Sequence, residues 1–222
     1  MKYRYLTFDC YGTLIDWRAG IEASLLAAVG DFGIRGQALL DAYVMAEKQQ
    51  ESSYKKYREV LRRTVLSMSG QLGVEVTEEA ARKFAGSVPT WPAYADSAKF
   101  LKQMGTKGYE RYILSNVDTD LLSDTISNHG LEVDGFVTAE DVGSYKPNPG
   151  HWLRFMKNTG ARKEEVLHVA QSIYHDIVPT NEMGIASAWV NRYDEPMPQG
   201  PHPLFVSDSL AHLAESLDQD LP

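Results

Sequence analysis

The sequence has a single cysteine among 222 residues, so no disulfide can form within the chain. This composition favours a reducing compartment, and we expect a cytoplasmic protein. Positive charge is also scarce, because 22 lysines and arginines face 30 aspartates and glutamates, which gives a formal net charge of −8. General binding to nucleic acid or to an anionic membrane surface needs a basic surface, so we expect neither partner.

Long apolar runs are missing as well, since no stretch approaches the ~20 residues that a membrane-spanning helix needs. The N-terminus leads directly into a strand-like segment and lacks a signal-peptide pattern. What remains is the composition of an ordinary globular protein, with 43% hydrophobic and 23% charged residues. A chain of this length can hold one core domain and a smaller insert.

Short apolar runs alternate with helical patterns along most of the chain. We predict strands at residues 3–8, 112–114, 135–137, 166–170, 185–190 and 204–206. Strands that alternate with helices form parallel sheets with helices on both faces. The predicted fold class is therefore α/β, with a Rossmann-like core.

Residues 17–88 break this alternation, because one helical pattern follows another. Apolar residues recur at helical spacing in residues 38–48 and 53–69, and Thr77 fits the N-cap of a further helix. We predict a helical cap, inserted after the first strand, over the C-terminal edge of the sheet. The predicted domains are a core of residues 1–16 and 89–222 and a cap of residues 17–88, with Pro89 and Pro92 at the hinge.

Polar side chains follow four successive strands or loops of the predicted core. They are Asp9 with Thr13, Ser115 with Asn116, Lys146 before a proline, and the run Gln171, Ser172, His175 and Asp176. Each group alone has an ordinary explanation as a turn, an N-cap or an exposed loop residue. Because ligands bind at the carboxyl ends of parallel strands, their coincidence predicts one site.

The chemistry of these side chains suggests what that site does. A carboxylate such as that of Asp9 is a usable nucleophile when it is held rigidly and partly desolvated. Lys146 precedes a proline, so its backbone is held extended and its ammonium group has a defined direction. His175 is a candidate base, although a lone histidine is more often a packed or capping residue.

Taken in order, the four motifs resemble those of the haloacid dehalogenase (HAD) superfamily, and the insert resembles its helical cap class. Most members of that superfamily are Mg²⁺-dependent phosphatases with Asp-x-Asp in the first motif and an acidic metal ligand early in the fourth. Tyr11 and Gln171 stand at those two positions here. Mg²⁺ usually relies on carboxylates, so we expect no metal and no cofactor unless the chain is a phosphatase after all.

Asp-x-Tyr-Gly-Thr-Leu is similar to the motif of the L-2-haloacid dehalogenases, which use no metal. The resemblance implies that Asp9 attacks the carbon bearing the leaving group and that water hydrolyses the resulting ester. The catalytic residues it implies are Asp9, Thr13, Ser115, Lys146 and Asp176. The substrate-binding residues expected beside them are Cys10, Tyr11, Asn116, Ser172 and Arg18.

One departure leaves the leaving group open. The dehalogenases receive the halide with a cap arginine, but residues 38–51 contain none, and Arg18, Arg58 and Arg62 are unaligned substitutes. The motifs also resemble those of a branch that opens the ring of azetidine-2-carboxylate, where a leaving nitrogen needs a proton donor. The candidate donors are His175, Tyr174, Glu47 and Glu51.

The leading prediction is a metal-independent hydrolase that attacks the α-carbon of a small 2-substituted carboxylate through an aspartyl ester. A 2-haloacid is the default substrate for this family resemblance. The alternatives are an azetidine-2-carboxylate-type ring-opening hydrolase, a Mg²⁺-dependent phosphatase and a non-catalytic binding protein, in falling order. The sequence leaves monomer and homodimer equally open.

Overall fold

The computed structural model describes residues 3–51, 53–197, 199–200 and 202–219. Within these ranges one parallel sheet has the strand order β3-β2-β1-β4-β5-β6. Its strands are β1 (Tyr5–Phe8), β2 (Glu110–Ser115), β3 (Gly135–Thr138), β4 (Val166–Ala170), β5 (Ala186–Val190) and β6 (Phe205–Ser207). The predicted α/β class is confirmed, and the strands lie where the apolar runs predicted them, with ends shifted by up to two residues.

The helices divide into two groups by their place in the chain. Those between β1 and β2 begin with α1 (Trp17–Ala28), α2 (Gln37–Gln50), α3 (Tyr57–Leu72) and α4 (Glu78–Ala85), and α5 (Ser97–Thr106) leads into β2. Those after β2 are α6 (Thr119–His129), α7 (Ala139–Val142), α8 (Gly150–Thr159), α9 (Val178–Met183) and α10 (Leu210–Gln219). No helix in the described ranges is both long and apolar enough to cross a membrane.

Both faces of the sheet are covered, as the side-chain alternation of β1 shows. Phe8 packs edge-on against Phe100 of α5, with ring centroids 6.0 Å apart, in the larger core cluster that also includes α10. Tyr5 points to the opposite face and meets Phe155 of α8 at 5.5 Å. Successive strand residues face opposite sides of a sheet, so the short buried strand β1 belongs to two apolar layers at once.

The chain leaves the core for helices α1–α4 and returns to it along a paired connection. The N–H of Asp16 donates to the carbonyl of Pro92 at 2.8 Å, and the N–H of Tyr94 donates to the carbonyl of Leu14 at 3.0 Å. Pro92 therefore pairs with the segment through which the chain leaves β1 for α1. The division into a core of residues 1–16 and 89–222 and a cap of residues 17–88 stays a prediction.

The helix predicted over residues 53–69 is wrong at its start. Helix α3 begins at Tyr57, and Tyr54, which shares its apolar spacing, lies outside the helix and is 38% exposed. The reason is a cap from elsewhere in the chain, because the carboxylate of Asp118 accepts hydrogen bonds from the first N–H groups of α3. The predicted cap at Thr77 is confirmed, since its hydroxyl accepts from the N–H of Ala80 at 3.1 Å.

Candidate active site

Asp9 lies directly after β1, and both of its carboxylate oxygens are held. Oδ1 accepts a hydrogen bond from Lys146 Nζ at 2.9 Å, and Oδ2 accepts one from Thr13 Oγ1 at 2.9 Å. The Thr13 oxygen is fixed in turn by the N–H of Gln171 at 2.9 Å. Gly12 makes the intervening turn possible with φ of 111°, a conformation that side chains rarely adopt. The carboxylate therefore has a single defined orientation at the end of a rigid strand.

Lys146 is buried and uses all three of its ammonium hydrogens. Nζ donates to Asp9 Oδ1, to Asp176 Oδ1 at 2.7 Å and to the carbonyl of Leu114 at 2.9 Å. Burial lowers the pKa of Lys146, but the carboxylates of Asp176 and Asp9 outweigh it, so the pKa lies above its ordinary value. Burial raises the pKa of Asp9, and the Lys146 ammonium opposes that shift by stabilising the carboxylate.

Asp176 completes this buried ion cluster from the fourth motif. Its Oδ1 accepts from Lys146 and from His168 Nε2 at 3.0 Å, and the other ring nitrogen of His168 contacts Thr7 Oγ1 at 2.9 Å. Burial would raise the pKa of Asp176, but Lys146 and His168 hold it well below the usual carboxyl range. Its Oδ2 is buried and makes no hydrogen bond with the described residues.

The second motif supplies one anchor and one free donor. The amide of Asn116 accepts from the N–H of Lys146 at 2.7 Å and donates to the Lys146 carbonyl at 3.2 Å, so it fixes the backbone that carries the lysine. Ser115 Oγ is buried at the cavity and has no hydrogen-bond partner among the described residues. That hydroxyl is free to bind an oxygen of a ligand.

A cavity of about 240 Å³ opens above Asp9 between the sheet and helices α1–α3. Its walls are formed by residues from both parts of the chain: Asp9, Tyr11, Trp17, Ile21, Tyr43, Val44, Glu47, Glu51, Tyr57, Trp91, Ser115, Asn116, Val117, Lys146, Gln171, Ser172, His175 and Asp176. A wider cleft of about 670 Å³ shares Val44, Glu47, Glu51, Lys146, Ser172 and His175 with it. A cavity of this size suits a small molecule.

Seven of the ten predicted site residues line this cavity: Asp9, Tyr11, Ser115, Asn116, Lys146, Ser172 and Asp176. Thr13 lies behind the cavity wall and contacts Asp9 from there. The structure does not bring the other two to the cavity. Cys10 is fully buried in the apolar core, and the Arg18 guanidinium lies over the ring of Tyr193, 3.4 Å from its centroid.

The cavity wall opposite Asp9 is acidic. Tyr43 and Tyr57 both donate their hydroxyl hydrogens to Glu47 Oε1, at 2.9 and 2.7 Å. Burial raises the pKa of Glu47, and burial together with the charge of Glu47 raises the pKa of Glu51 to about 8. No arginine lines the described part of this cavity, and Lys146 is its only lysine.

The sequence contains a signal for this wall. Tyr43, Glu47 and Glu51 follow one another at a spacing of four residues, which places them on one side of α2 and its C-terminus. Glu47 and Glu51 are predicted only as candidate donors, and the tyrosines that hold Glu47 are not predicted. The sequence of α2 alone does not indicate the second tyrosine, because Tyr57 lies on α3.

A family model described as haloacid dehalogenase-like hydrolase matches residues 3–178. The chain belongs to this family of hydrolases. Two family relatives are haloacetate dehalogenase H-2 from Moraxella sp. (strain B), 23% identical over 96% of this chain and 98% of the relative, and (S)-2-haloacid dehalogenase 4A from Burkholderia cepacia, 24% identical over 99% and 94%. A solved structure of L-2-haloacid dehalogenase from Xanthobacter autotrophicus, with chloropropionic acid covalently bound, superimposes with a TM-score of 0.86 at 21% identity over 99% and 100%. This hydrolase therefore shares the fold of that dehalogenase over 99% of its chain.

Proposed function

We propose that this hydrolase displaces a leaving group from carbon 2 of a small carboxylate, with Asp9 as the nucleophile and an aspartyl ester as the intermediate. The observation that carries the proposal is the way in which Asp9 is held. One carboxylate oxygen is fixed by Lys146 and the other by Thr13, at the floor of a small cavity. A rigid, partly desolvated carboxylate of this kind is suited to attack at saturated carbon.

The attack needs an in-line approach, so orientation supplies much of the rate. Lys146 favours the ionised form of Asp9 against the burial that raises its pKa, and it restrains the direction of the carboxylate oxygens. The unpartnered hydroxyl of Ser115 is the group that we assign to the carboxylate of the substrate. Asp9 then forms its C–O bond to carbon 2 as the bond to the leaving group breaks, and water later cleaves the ester at the Asp9 carboxyl carbon.

Two positions argue against phosphoryl transfer by the usual route of this superfamily. The hydroxyl of Tyr11 contacts Thr125 Oγ1 at 2.8 Å, and its ring packs edge-on against Trp91, so it offers no carboxyl as acid and base. Gln171 presents an amide, which donates to Glu195 Oε2 at 3.3 Å, where a carboxylate would bind Mg²⁺. We therefore rank a Mg²⁺-dependent phosphatase below a hydrolase that attacks carbon 2.

The names of the relatives make a halide the first leaving group to consider. A second candidate rests on the acidic wall, because Glu47 and Glu51 face the cavity and no arginine lines its described part. Carboxyl groups do not stabilise a departing halide ion, whereas a protonated carboxyl can donate a proton to a departing nitrogen. The second candidate is hydrolytic opening of the strained C–N bond in azetidine-2-carboxylate.

One experiment tests the step that both candidates share. The enzyme is mixed in excess with (S)-2-chloropropionate or azetidine-2-carboxylate in H₂¹⁸O, and the Asp9 peptide is analysed by mass spectrometry after one turnover. We expect the label in Asp9 and none in the product of that single turnover, because the product takes its oxygen from the Asp9 carboxylate and the water oxygen replaces it there. Asp9→Asn should give neither labelled peptide nor product. Label found in the product but not in Asp9 would contradict the proposal.

Product release from three probe substrates distinguishes the reaction classes. Release of chloride from (S)-2-chloropropionate selects the halide, and ring opening of azetidine-2-carboxylate selects the amine. Hydrolysis of p-nitrophenyl phosphate that rises on addition of Mg²⁺ selects the phosphatase. Because Tyr11 and Gln171 replace the carboxyls of that class, we expect phosphate-ester hydrolysis to stay at background with or without Mg²⁺.

A further inference from the structure

His175 lies where the cavity above Asp9 meets the wider cleft beside it. It lies in a π-helical turn (Ile173–Ile177) that follows β4, and it lines both spaces. Turns with one extra residue of this type occur often at functional sites. None of the bonds that hold Asp9, Lys146 and Asp176 in place involves the His175 side chain, although its neighbour in the chain is Asp176.

Ser172 fixes the ring of His175 through one nitrogen. Ser172 Oγ contacts His175 Nδ1 at 3.1 Å and also accepts from the backbone N–H of His175 at 3.1 Å. A hydroxyl oxygen has two lone pairs, so it can accept from both groups. We assign the ring hydrogen to Nδ1, which leaves Nε2 as a basic nitrogen without a hydrogen-bond partner among the described residues.

Asp176 is poorly suited to activate water. Two cationic or N–H donors, Lys146 and His168, hold its Oδ1, and its charged form is strongly favoured. A carboxylate whose charged form is this strongly favoured is a weak base near neutral pH. General-base catalysis is most efficient when the pKa of the base is close to the working pH. The ester step therefore needs another group that can accept a proton.

We propose that His175 Nε2 is the general base that deprotonates the water which hydrolyses the Asp9 ester. This inference rests on the proposed function. As the water oxygen bonds to the Asp9 carboxyl carbon, one water proton moves to Nε2. The tetrahedral intermediate then breaks its bond to the oxygen on carbon 2, and His175 returns the proton to that oxygen to give the 2-hydroxy product. Asp9 leaves this step as a carboxylic acid and releases its own proton to solvent.

The charges around His175 fit this role. Burial lowers the pKa of the imidazole; the carboxylates of Asp176 and Asp9 oppose the shift, while Lys146 and Lys48 of α2 reinforce it. The net direction is downward, so the ring is neutral at neutral pH. Glu47 of α2 and Glu51, directly after α2, face the same cavity, and the exposed ring of Tyr174 meets the imidazole edge-on at 4.9 Å.

The test separates ester formation from ester hydrolysis. His175→Gln, the matched control His202→Gln at an exposed histidine, and the unaltered enzyme are mixed with (S)-2-chloropropionate or azetidine-2-carboxylate, quenched, and analysed by intact-protein mass spectrometry. We expect His175→Gln to accumulate the alkylated protein and to turn over about 10²- to 10⁴-fold more slowly, the range typical of a lost general base. Its rate of ester formation should stay within about threefold of the unaltered enzyme, because general-base loss is confined to the second step. His202→Gln should behave as the unaltered enzyme.

The pH profile and the ring itself give independent measurements. Ester hydrolysis by the unaltered enzyme should rise with pH through a pKa below the usual histidine value, and this acid limb should vanish in His175→Gln. Nitrogen-15 spectra of histidine-labelled, unaltered enzyme at neutral pH should show a neutral ring with hydrogen on Nδ1. A protonated ring, or hydrogen on Nε2, overturns the proposal even if neither probe is turned over.

The outcomes also distinguish the two levels of inference. If His175→Gln forms and hydrolyses the Asp9 ester at unaltered rates, or slows both steps equally, the assignment of His175 fails while the proposed function stands. If the unaltered enzyme makes product and never carries an adduct on Asp9, the proposed function itself fails. An adduct that accumulates only in His175→Gln supports both.

Discussion

The carboxylate of Asp118 caps a helix that begins 61 positions earlier in the chain. Its two oxygens accept hydrogen bonds from the N–H groups of Tyr57, at 2.7 Å, and of Arg58, at 3.0 Å. Asp118 follows β2 and is only 2% exposed, so the bond joins the sheet edge to α3. Tyr57 is also the residue that donates to Glu47, and the same cap therefore positions part of the cavity wall.

Asp118→Ala should lower the free energy of unfolding by about 1–2 kcal/mol, the range for loss of a helix N-cap. It should also raise KM more than it lowers kcat, because Tyr57 and the Glu47 wall lose their anchor. Urea titration and steady-state kinetics measure the two effects. Asp118→Asn keeps one acceptor oxygen and should lie between the two proteins. An Asp118→Ala protein with unaltered stability would show that α3 is capped by other means.

Removing the ammonium of Lys146 should affect both stability and chemistry. Lys146→Met leaves the charges of Asp9 and Asp176 buried without their partner, which should cost about 3–5 kcal/mol and abolish turnover. Lys48→Met, which removes an exposed lysine of α2, is the matched control and should change stability by less than about 0.5 kcal/mol. Equal losses in the two variants would contradict the buried ion cluster.

Lys146→Met should also reverse the direction in which the contribution of Asp176 to the free energy of unfolding changes with pH. In the unaltered protein the pKa of Asp176 lies below its unfolded value, so its contribution is present above the unfolded carboxyl pKa and is lost as pH falls through the folded pKa. Without Lys146, burial raises the pKa of Asp176 above its unfolded value, and the pKa of Asp9, already raised in the unaltered protein, rises further. The Lys146→Met protein should therefore gain stability as the pH is lowered from neutral toward about 5, measured by thermal unfolding across that range.

How far the sequence predicts this molecule depends on the distance over which each feature is encoded. Asp9 and Ser115 stand directly after apolar runs, and Asp176 lies in the polar segment that follows a third run, so local pattern and the parallel-sheet rule are enough to bring them together. The cap of α3 by Asp118 joins distant segments, and no local pattern contains it. Arg18 is next to Trp17, a cavity residue, yet a ring on the segment after β5 draws its guanidinium away.

Glu51 provides a pH test of the leaving group. Its pKa is raised to about 8, so the carboxyl is protonated at neutral pH and can donate to a departing nitrogen. Ring opening of azetidine-2-carboxylate should fall as the pH rises through about 8, and Glu51→Gln should lower it about 10²-fold or more, within the range for general-acid loss. Glu79→Gln, an exposed change on α4, is the control.

Halide release should not need this proton. If (S)-2-chloropropionate is the better substrate, its turnover should show no basic limb from Glu51, because chloride leaves as an anion. Initial rates measured between about pH 6 and 10 with both probes would distinguish the cases, since that interval brackets the raised pKa and the reference range of carboxyls lies below it. A ring-opening rate that is the same in Glu51→Gln contradicts the assignment of Glu51 as the donor.

Gly20 of α1 lies so close to Trp91 that a Cβ at this position would be 2.3 Å from the indole Cγ. In a helix interior, alanine is more favourable than glycine by about 1 kcal/mol. At this position, however, the added Cβ forces Trp91 to move, and overpacking of this kind costs about 1–3 kcal/mol. Trp91 also packs on Tyr11 and lines the cavity. Gly20→Ala should therefore lower stability, shift tryptophan fluorescence and reduce turnover.

Gly70→Ala is the matched control, because Gly70 lies in α3 and a Cβ there would meet nothing within 4 Å. The helix propensity acts alone at that position, so we expect a gain of up to about 1 kcal/mol and unaltered turnover. Urea unfolding of both variants measures two effects of opposite sign from the same substitution. Changes of the same sign in the free energy of unfolding would contradict a steric clash between residue 20 and Trp91.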